Sequence, residues 1–254
     1  MRHAIVTAGA KGLGRKVTEA LLYEGYTVTV SYRNDAQAVQ HLRAALELDD
    51  TRLHAVQADV TDQGDIERLF AAAIQRFGRL DVLVNNAGPY IFERKKIHDY
   101  QADEWKEMVS GNLTAMFTML QQALPQMRKQ KFGRIIAYGY QDVGNAPGWL
   151  YRGAFGAAKA GLASLIRTVA IEEAEHGITA NMVCPGMIVG EWKESTIAES
   201  RKHPDAHTPV GRSGTGEDIA RTVLYFADDD ADMVTGTIVE VTGGADVIHR
   251  RRHE

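Results

Sequence analysis

The N-terminal segment constrains this chain most. Ala4-Ile5-Val6 is a short apolar run, followed at once by Gly9, Gly12 and Gly14, a helical pattern from Lys16 to Glu24, and the β-branched run Thr27-Val28-Thr29-Val30. Strand, glycine turn, helix, strand is a βαβ unit, and its right-handed crossover makes the two strands parallel. The alternation continues. Further strands are predicted at Arg52–Gln57, Leu80–Asn85, Arg134–Tyr138, Thr179–Val183 and Thr237–Val241. Helices are predicted at Ala36–Leu48, Asp62–Phe77, Ala102–Met127, Ala154–His176 and Glu217–Ala227. Such an order predicts an α/β fold: one domain over residues 1–254, built on a doubly wound parallel sheet of about seven strands with helices on both faces. Residues 190–214 show no periodicity and hold Pro204 and Pro209, so they are expected to form an irregular lid. The basic run at 249–254 is expected to be a solvated tail.

Composition narrows the function classes. With 29 Lys+Arg against 33 Asp+Glu the formal charge is −4, a poor match to a nucleic-acid backbone. The single cysteine, Cys184, excludes an internal disulfide and any cluster of thiolate ligands. Residues 1–9 lack the pattern of a signal peptide, and no run approaches the ~18–20 apolar residues of a membrane span. A cytoplasmic protein with neither nucleic-acid nor membrane partners is expected. His203 and His207 have helical spacing, but Pro204 stands between them and no third ligand is evident, so no metal is expected.

Open parallel sheets bind ligands beyond the carboxyl ends of their strands, at the switch point beside the first strand. Thr7-Ala8-Gly9-Ala10-Lys11-Gly12-Leu13-Gly14 stands in that position. Glycines there let a pyrophosphate approach the backbone, and the following helix offers free N–H groups and a positive dipole end. A dinucleotide is therefore expected. After the second strand comes Ser31-Tyr32-Arg33-Asn34, with no carboxylate until Asp35. Arg33 and Lys11 are placed to converge on a 2′-phosphate, which predicts NADP(H).

Other motifs follow in order: Asp59-Val60, Asn85-Asn86-Ala87-Gly88, Gly111-Asn112-Leu113, Pro185-Gly186, Pro209-Val210-Gly211-Arg212 and Val241-Thr242-Gly243-Gly244. Through them essentially the whole chain resembles the short-chain dehydrogenase/reductase family, and its 3-oxoacyl-ACP reductase-like members in particular. The glycine loop is similar to that family's TGxxxGxG, with Ala8 where the first glycine usually stands. The resemblance implies a Rossmann-type sheet in the order 3-2-1-4-5-6-7 and a homodimer or homotetramer. It also implies cofactor contacts from Thr7, Gly9, Lys11, Gly12, Leu13, Gly14, Arg33, Asp59, Val60, Asn86, Ala87, Gly88, Lys159, Pro185, Gly186 and Ile188.

The resemblance breaks at the proton-transfer groups. In the family a tyrosine four residues before a lysine passes a proton to or from the substrate oxygen, and a serine steadies that oxygen. Here the lysine is Lys159, and four residues back stands Phe155, which keeps the ring and loses the proton. The serine position falls on Tyr140, and the interval from Tyr140 to Phe155 is about two residues longer than usual. Gly190 replaces the threonine that follows the PG turn. Asn112 matches the active-site asparagine, with an implied role in kinking its helix and holding water.

Two tyrosines can replace the lost hydroxyl. Tyr140 puts a phenol where a short serine would sit. Tyr151, eight residues before Lys159 and flanked by Gly148 and Gly153, is expected in the loop before the helix. Their pairing resembles the enoyl-thioester reductase branch of the superfamily. Tyr90 and Trp149 are expected to shape the substrate pocket. Three functions stay open: NADPH-dependent reduction of a carbonyl such as a 3-oxoacyl thioester, reduction of an enoyl thioester, and cofactor binding without turnover as a sensor or subunit.

Overall fold

The computed structural model describes residues 1–46 and 51–249. Its sheet has seven parallel strands: β1 His3–Val6, β2 Thr27–Tyr32, β3 Leu53–Gln57, β4 Val82–Asn85, β5 Gly133–Tyr138, β6 Ile178–Pro185 and β7 Ile238–Val241. They lie in the order β3-β2-β1-β4-β5-β6-β7, as the resemblance implied. The order reverses between β1 and β4, so the crevice opens at the ends of β1 and β4.

Helices cover both faces. On one face α1 (Gly12–Tyr23), α2 (Ala36–Leu46) and α8 (Gly216–Ala227) enclose Val17, Leu21, Leu42, Ile219 and Phe226. On the other, α3 (Gln63–Phe77), α5 (Ala115–Gln130) and α6 (Gly153–Glu172) enclose Phe70, Met116, Met119, Leu162 and Ile166. The apolar positions recur at helical spacing, so each helix has one face to bury and the sheet supplies the surface. Local chemistry sets the ends. The Asp62 side chain accepts from the Asp65 N–H at the start of α3, and Gly78 closes it at φ +72°. Thr215 and Asp218 form a reciprocal capping box on α8.

Four expectations need correction. The helix predicted at Ala102–Met127 is two, α4 (Ala102–Val109) and α5, joined by a π-helical turn at Ser110–Thr114. The turn has a cause: Asn112 Nδ2 donates to the carbonyls of Met108 (3.1 Å) and Pro89 (2.9 Å), and Pro89 presses so close to Gly111 that a Cβ there would lie 2.2 Å from the proline ring. The segment 190–214 is less irregular than expected, with a 3₁₀ turn at Gly190–Lys193 and a short helix α7 at Ile197–Ser200. The Glu217 carboxylate accepts from the Ile197 N–H, and Arg212 pairs with Asp218, so both ends are tied to α8. Helix α6 is long enough to cross a membrane and has a mean hydropathy of 1.3, but half of that stretch is buried in the fold. The first helix begins at Gly12 rather than Lys16, so the glycine loop itself supplies its first turn. Residues 47 and 48 of the predicted second helix, and 250–254 of the basic tail, lie outside the described residues.

Candidate active site

The glycine loop is built around one strained residue. Ala8 sits at φ +49°, in the left-handed region where the family's glycine would pay no steric cost. Its N–H donates to Ser31 Oγ at 3.0 Å and its carbonyl accepts from Asn86 Nδ2, which hold it there. Ala8→Gly should raise stability by about 1 kcal/mol, since left-handed strain of ~1–2 kcal/mol exceeds the ~0.4–1 kcal/mol entropy cost of a new glycine. Thermal unfolding followed by circular dichroism should show a gain of ~2–4 °C; an unchanged or lower midpoint would refute this account of the loop.

Thr7 ties the glycine loop to the Asn85–Gly88 segment. Its buried hydroxyl accepts from the N–H groups of Asn86 (3.0 Å) and Ala87 (2.9 Å), and Asn86 Nδ2 returns a bond to the Thr7 carbonyl. Gly9 and Gly14 are packed against neighbours. Beside them opens a cavity of about 410 Å³ whose walls include Ala8, Lys11, Arg33, Asp59, Val60, Ala87 and Gly88. Backbone from the ends of β1, β3 and β4 thus meets in one cleft, which fits the adenosine half of a dinucleotide. Two features of its rim were not legible in the sequence. Lys11 Nζ lies 3.0 Å from Asp35, and Arg33 lies 3.8 Å from Asp59, so both cations face carboxylates. At the start of α1 the Gly12 N–H donates to the Glu194 carboxylate at 2.6 Å, and Arg15 binds the same group at 2.9 Å. An anion at that helix end meets the Glu194 carboxylate first.

On the far side of the sheet switch, Gly186 donates to the Val241 carbonyl, and Pro185 ends β6. Ile188 is buried and packs against the α1–α8 face, as does half-buried Leu13. Gly190 turns the chain at φ +56° with open space beside it.

Two buried polar side chains, Lys159 and Asn112, and an aromatic cluster mark the candidate reactive end. Lys159 is only 5% exposed, and burial lowers its pKa to about 8. Its Nζ lies 5.6 Å from the Phe155 ring centroid, so the lysine and residue 155 do share one helical face. Gly88 approaches Asn112 so closely that a Cβ would lie 2.4 Å from Asn112 Oδ1. That buried oxygen has no hydrogen-bond partner among the described residues, a cost that a bound water or ligand would relieve. Around Phe155 stand Tyr90, Trp149 and Tyr140, with ring centroids 4.9, 6.0 and 6.4 Å away. Tyr140 is buried in the core, its hydroxyl donating to the Pro147 carbonyl at 3.3 Å. Tyr151 lies in the loop before α6 at φ +65°, and its carbonyl accepts from Arg152. The extra residues between Tyr140 and Phe155 form a 3₁₀ turn at Val143–Asn145 and the loop that lays Trp149 on Tyr140, centroids 5.1 Å apart. Arg152, which belongs to none of the sequence motifs, donates its Nε–H to the Tyr90 hydroxyl oxygen at 2.6 Å. Nothing local signals that pair, because 62 residues separate its members.

Comparison with known proteins agrees with this fold. Residues 7–246 match the model of the family described as Enoyl-(Acyl carrier protein) reductase. YtkK of Bacillus subtilis (strain 168), provisionally named an oxidoreductase, is 58% identical over 99% of both chains. The 3-oxoacyl-[acyl-carrier-protein] reductase FabG of Staphylococcus aureus (strain Mu50) is 33% identical, covering 96% of this chain and 97% of its own. A Bacillus thuringiensis structure, provisionally named a 3-oxoacyl-reductase, superposes with a TM-score of 0.93 at 57% identity, over 98% of this chain and all of its own. The fold, the ordered motifs and these relatives together make the chain a member of the short-chain dehydrogenase/reductase family of oxidoreductases.

Proposed function

We propose that this protein is an NADPH-dependent reductase of a carbonyl group, with a 3-oxoacyl thioester as the favoured substrate class. The observation that carries the reading is the pair of buried polar side chains at the candidate reactive end. Among the described residues Lys159 is buried without an ion pair, 5.6 Å from the Phe155 ring centroid, and the buried Asn112 Oδ1 has no hydrogen-bond partner. A fold that needed only to pack would gain by replacing both with apolar groups. When bound, the nicotinamide cofactor supplies the hydride. The protein's own part is to bind the dinucleotide at the Thr7–Gly14 loop, Asp59-Val60, Asn86–Gly88, Pro185-Gly186 and Ile188. Lys159 holds a positive charge beside the reacting carbonyl, and a hydroxyl outside position 155 gives the proton. Tyr151 and Tyr140 are the sequence candidates for that hydroxyl, and Asn112 positions water. The relatives named as 3-oxoacyl reductases support the substrate class.

Support for NADPH over NADH comes from the rim. Asp35, the first carboxylate after β2, is already engaged by the Ala38 N–H and Lys11, which leaves it ill placed to accept from a ribose diol. Arg33 is 62% exposed, and among the described residues its one ion pair is the 3.8 Å contact with Asp59, so it can turn to a phosphate. Arg33→Ala should weaken NADPH binding by roughly tenfold, one charge-assisted contact of ~1.5 kcal/mol, and leave NADH nearly unchanged. Equal loss of both in a fluorescence titration would remove the 2′-phosphate assignment.

The reading itself is tested by following NADPH oxidation against a panel of 3-oxoacyl thioesters, enoyl thioesters and simple ketones. Turnover led by a 3-oxoacyl thioester is expected. Enoyl turnover alone would favour the second reading, which the name of the matching family supports. Binding without turnover would favour the third, for which Phe155 is the motive. A homodimer or homotetramer is part of the proposal: Phe117 on α5 and Ile171 on α6 are exposed apolar side chains on helices that cover the same face.

A further inference from the structure

We propose that the hydroxyl replacing the lost one belongs to Tyr90, with Arg152 as its positioning residue. This rests on the carbonyl-reductase reading and names its proton donor. Tyr90 follows the Asn85–Gly88 segment and Pro89, so its backbone is fixed by the same packing that bends the chain at Asn112. Its ring meets Phe155 edge-on at 83°, with centroids 4.9 Å apart, the shortest of the three aromatic contacts around Phe155. The Tyr90 ring therefore packs directly on the side chain that stands in place of the family's tyrosine.

The Tyr90 oxygen accepts from Arg152 Nε at 2.6 Å. One lone pair is thus held by a cation, while the O–H proton has no acceptor among the described residues and can turn to a substrate. When the proton leaves, negative charge develops on an oxygen already facing a guanidinium. The guanidinium is itself fixed. Its Nη1 donates to the carbonyls of Glu93 (2.9 Å) and Tyr151 (3.0 Å), and its Nη2 to that of Phe92 (3.1 Å). Neither sequence candidate has this arrangement. Tyr140 spends its proton on Pro147, and Arg152 meets Tyr151 at its backbone carbonyl rather than at its hydroxyl.

Bound NADPH, held by the Thr7–Gly14 loop and Asn86–Gly88, would supply a hydride to the substrate carbonyl carbon and leave as NADP⁺. The C=O π pair moves to oxygen, and that oxygen takes the Tyr90 proton as the Tyr90 O–H bond breaks. The electron pair stays on the Tyr90 oxygen, against Arg152, until water returns a proton.

The test uses the full-length protein with the best 3-oxoacyl thioester of the panel and NADPH. Tyr90→Phe should lower kcat at least ~100-fold, the loss expected of a positioned general acid, with NADPH binding by fluorescence unchanged. Tyr90→Phe/Phe155→Tyr swaps the hydroxyl across the ring pair at constant volume and returns a phenol to Lys159. It should recover kcat to within about tenfold of wild type, which loss of a purely structural contact would not allow. A Tyr90→Phe kcat within about threefold of wild type, or a double variant that binds NADPH yet stays as slow as the single one, overturns the proposal. A loss confined to Tyr151→Phe overturns Tyr90 and leaves the reductase reading standing. A wild-type protein that binds NADPH and reduces nothing overturns both.

Discussion

Lys159→Met will make the protein more stable and leave it nearly inactive. The stability gain follows from burial. The ammonium has left water with no carboxylate beside it among the described residues, and its pKa falls from 10.5 to about 8. At ~1.4 kcal/mol per pKa unit, holding the charge there costs about 3 kcal/mol. Phe155 offsets little, because a cation over a benzene ring at this distance contributes only ~0.5–2 kcal/mol. Between pH 8 and 10.5 the folded protein binds fewer protons at this site than the unfolded chain, so wild-type stability rises with pH through that window. Methionine removes the titration. The variant should therefore exceed wild type by about 3 kcal/mol below pH 8, and the gap should close as pH approaches 10.5. Urea unfolding at pH 7 and at pH 10 measures both ends. On the proposed function, the same substitution should cost at least ~100-fold in turnover, by removing the fixed positive charge beside the reacting carbonyl. A variant that is less stable at pH 7 would mean that Lys159 has a partner in solution that compensates its charge. Unchanged turnover would remove Lys159 from the chemistry.

That prediction draws on the part of the site most legible in sequence. Lys159 and Phe155 are four residues apart in a helix, and helical geometry alone puts both on one face. The sheet was legible for a similar reason: each strand is a short β-branched or apolar run bounded by turn residues, a pattern that does not need its neighbours. What stayed hidden depends on contacts between distant segments. The break in the predicted helix at 102–127 comes from Pro89 pressing on Gly111 and from Asn112 bonding across to the Pro89 carbonyl. Lys11 and Arg33 are placed by the sequence to converge on a 2′-phosphate, but Asp35 and Asp59 face them, so the rim is closer to neutral than a sequence count suggests. Glu194 reaches the start of α1 across 182 residues of chain. Tyr140 aligns with a serine, but its longer phenol is buried in the core, where its hydroxyl finds the Pro147 carbonyl.

The glycine loop gives the sharpest contrast, because its three glycines look equivalent in the sequence and are not. A Cβ on Gly14 would lie 2.4 Å from the Ala8 carbonyl oxygen and 2.6 Å from Asn86 Nδ2. Neither can yield cheaply. The carbonyl belongs to a residue already at positive φ, and Asn86 Nδ2 is bonded to the carbonyls of Thr7 and Ala8. Gly14→Ala must push α1 away from the loop or break those bonds, a cost of about 3 kcal/mol or more once overpacking and a lost buried hydrogen bond are combined. Gly12 differs. Its φ of +60° strains any other residue, but a Cβ there meets only the flexible Lys193 side chain, at 3.9 Å. Gly12→Ala should cost ~1–2 kcal/mol and leave the loop in place. By urea unfolding Gly14→Ala should therefore be the less stable variant. Its NADPH affinity should fall by at least ~100-fold, since the loop and the Asn86–Gly88 segment move together. If Gly12→Ala proved as damaging as Gly14→Ala, the loop's glycines would serve backbone conformation alone, and close approach of α1 to the Asn86 segment would not be what assembles the cofactor cleft.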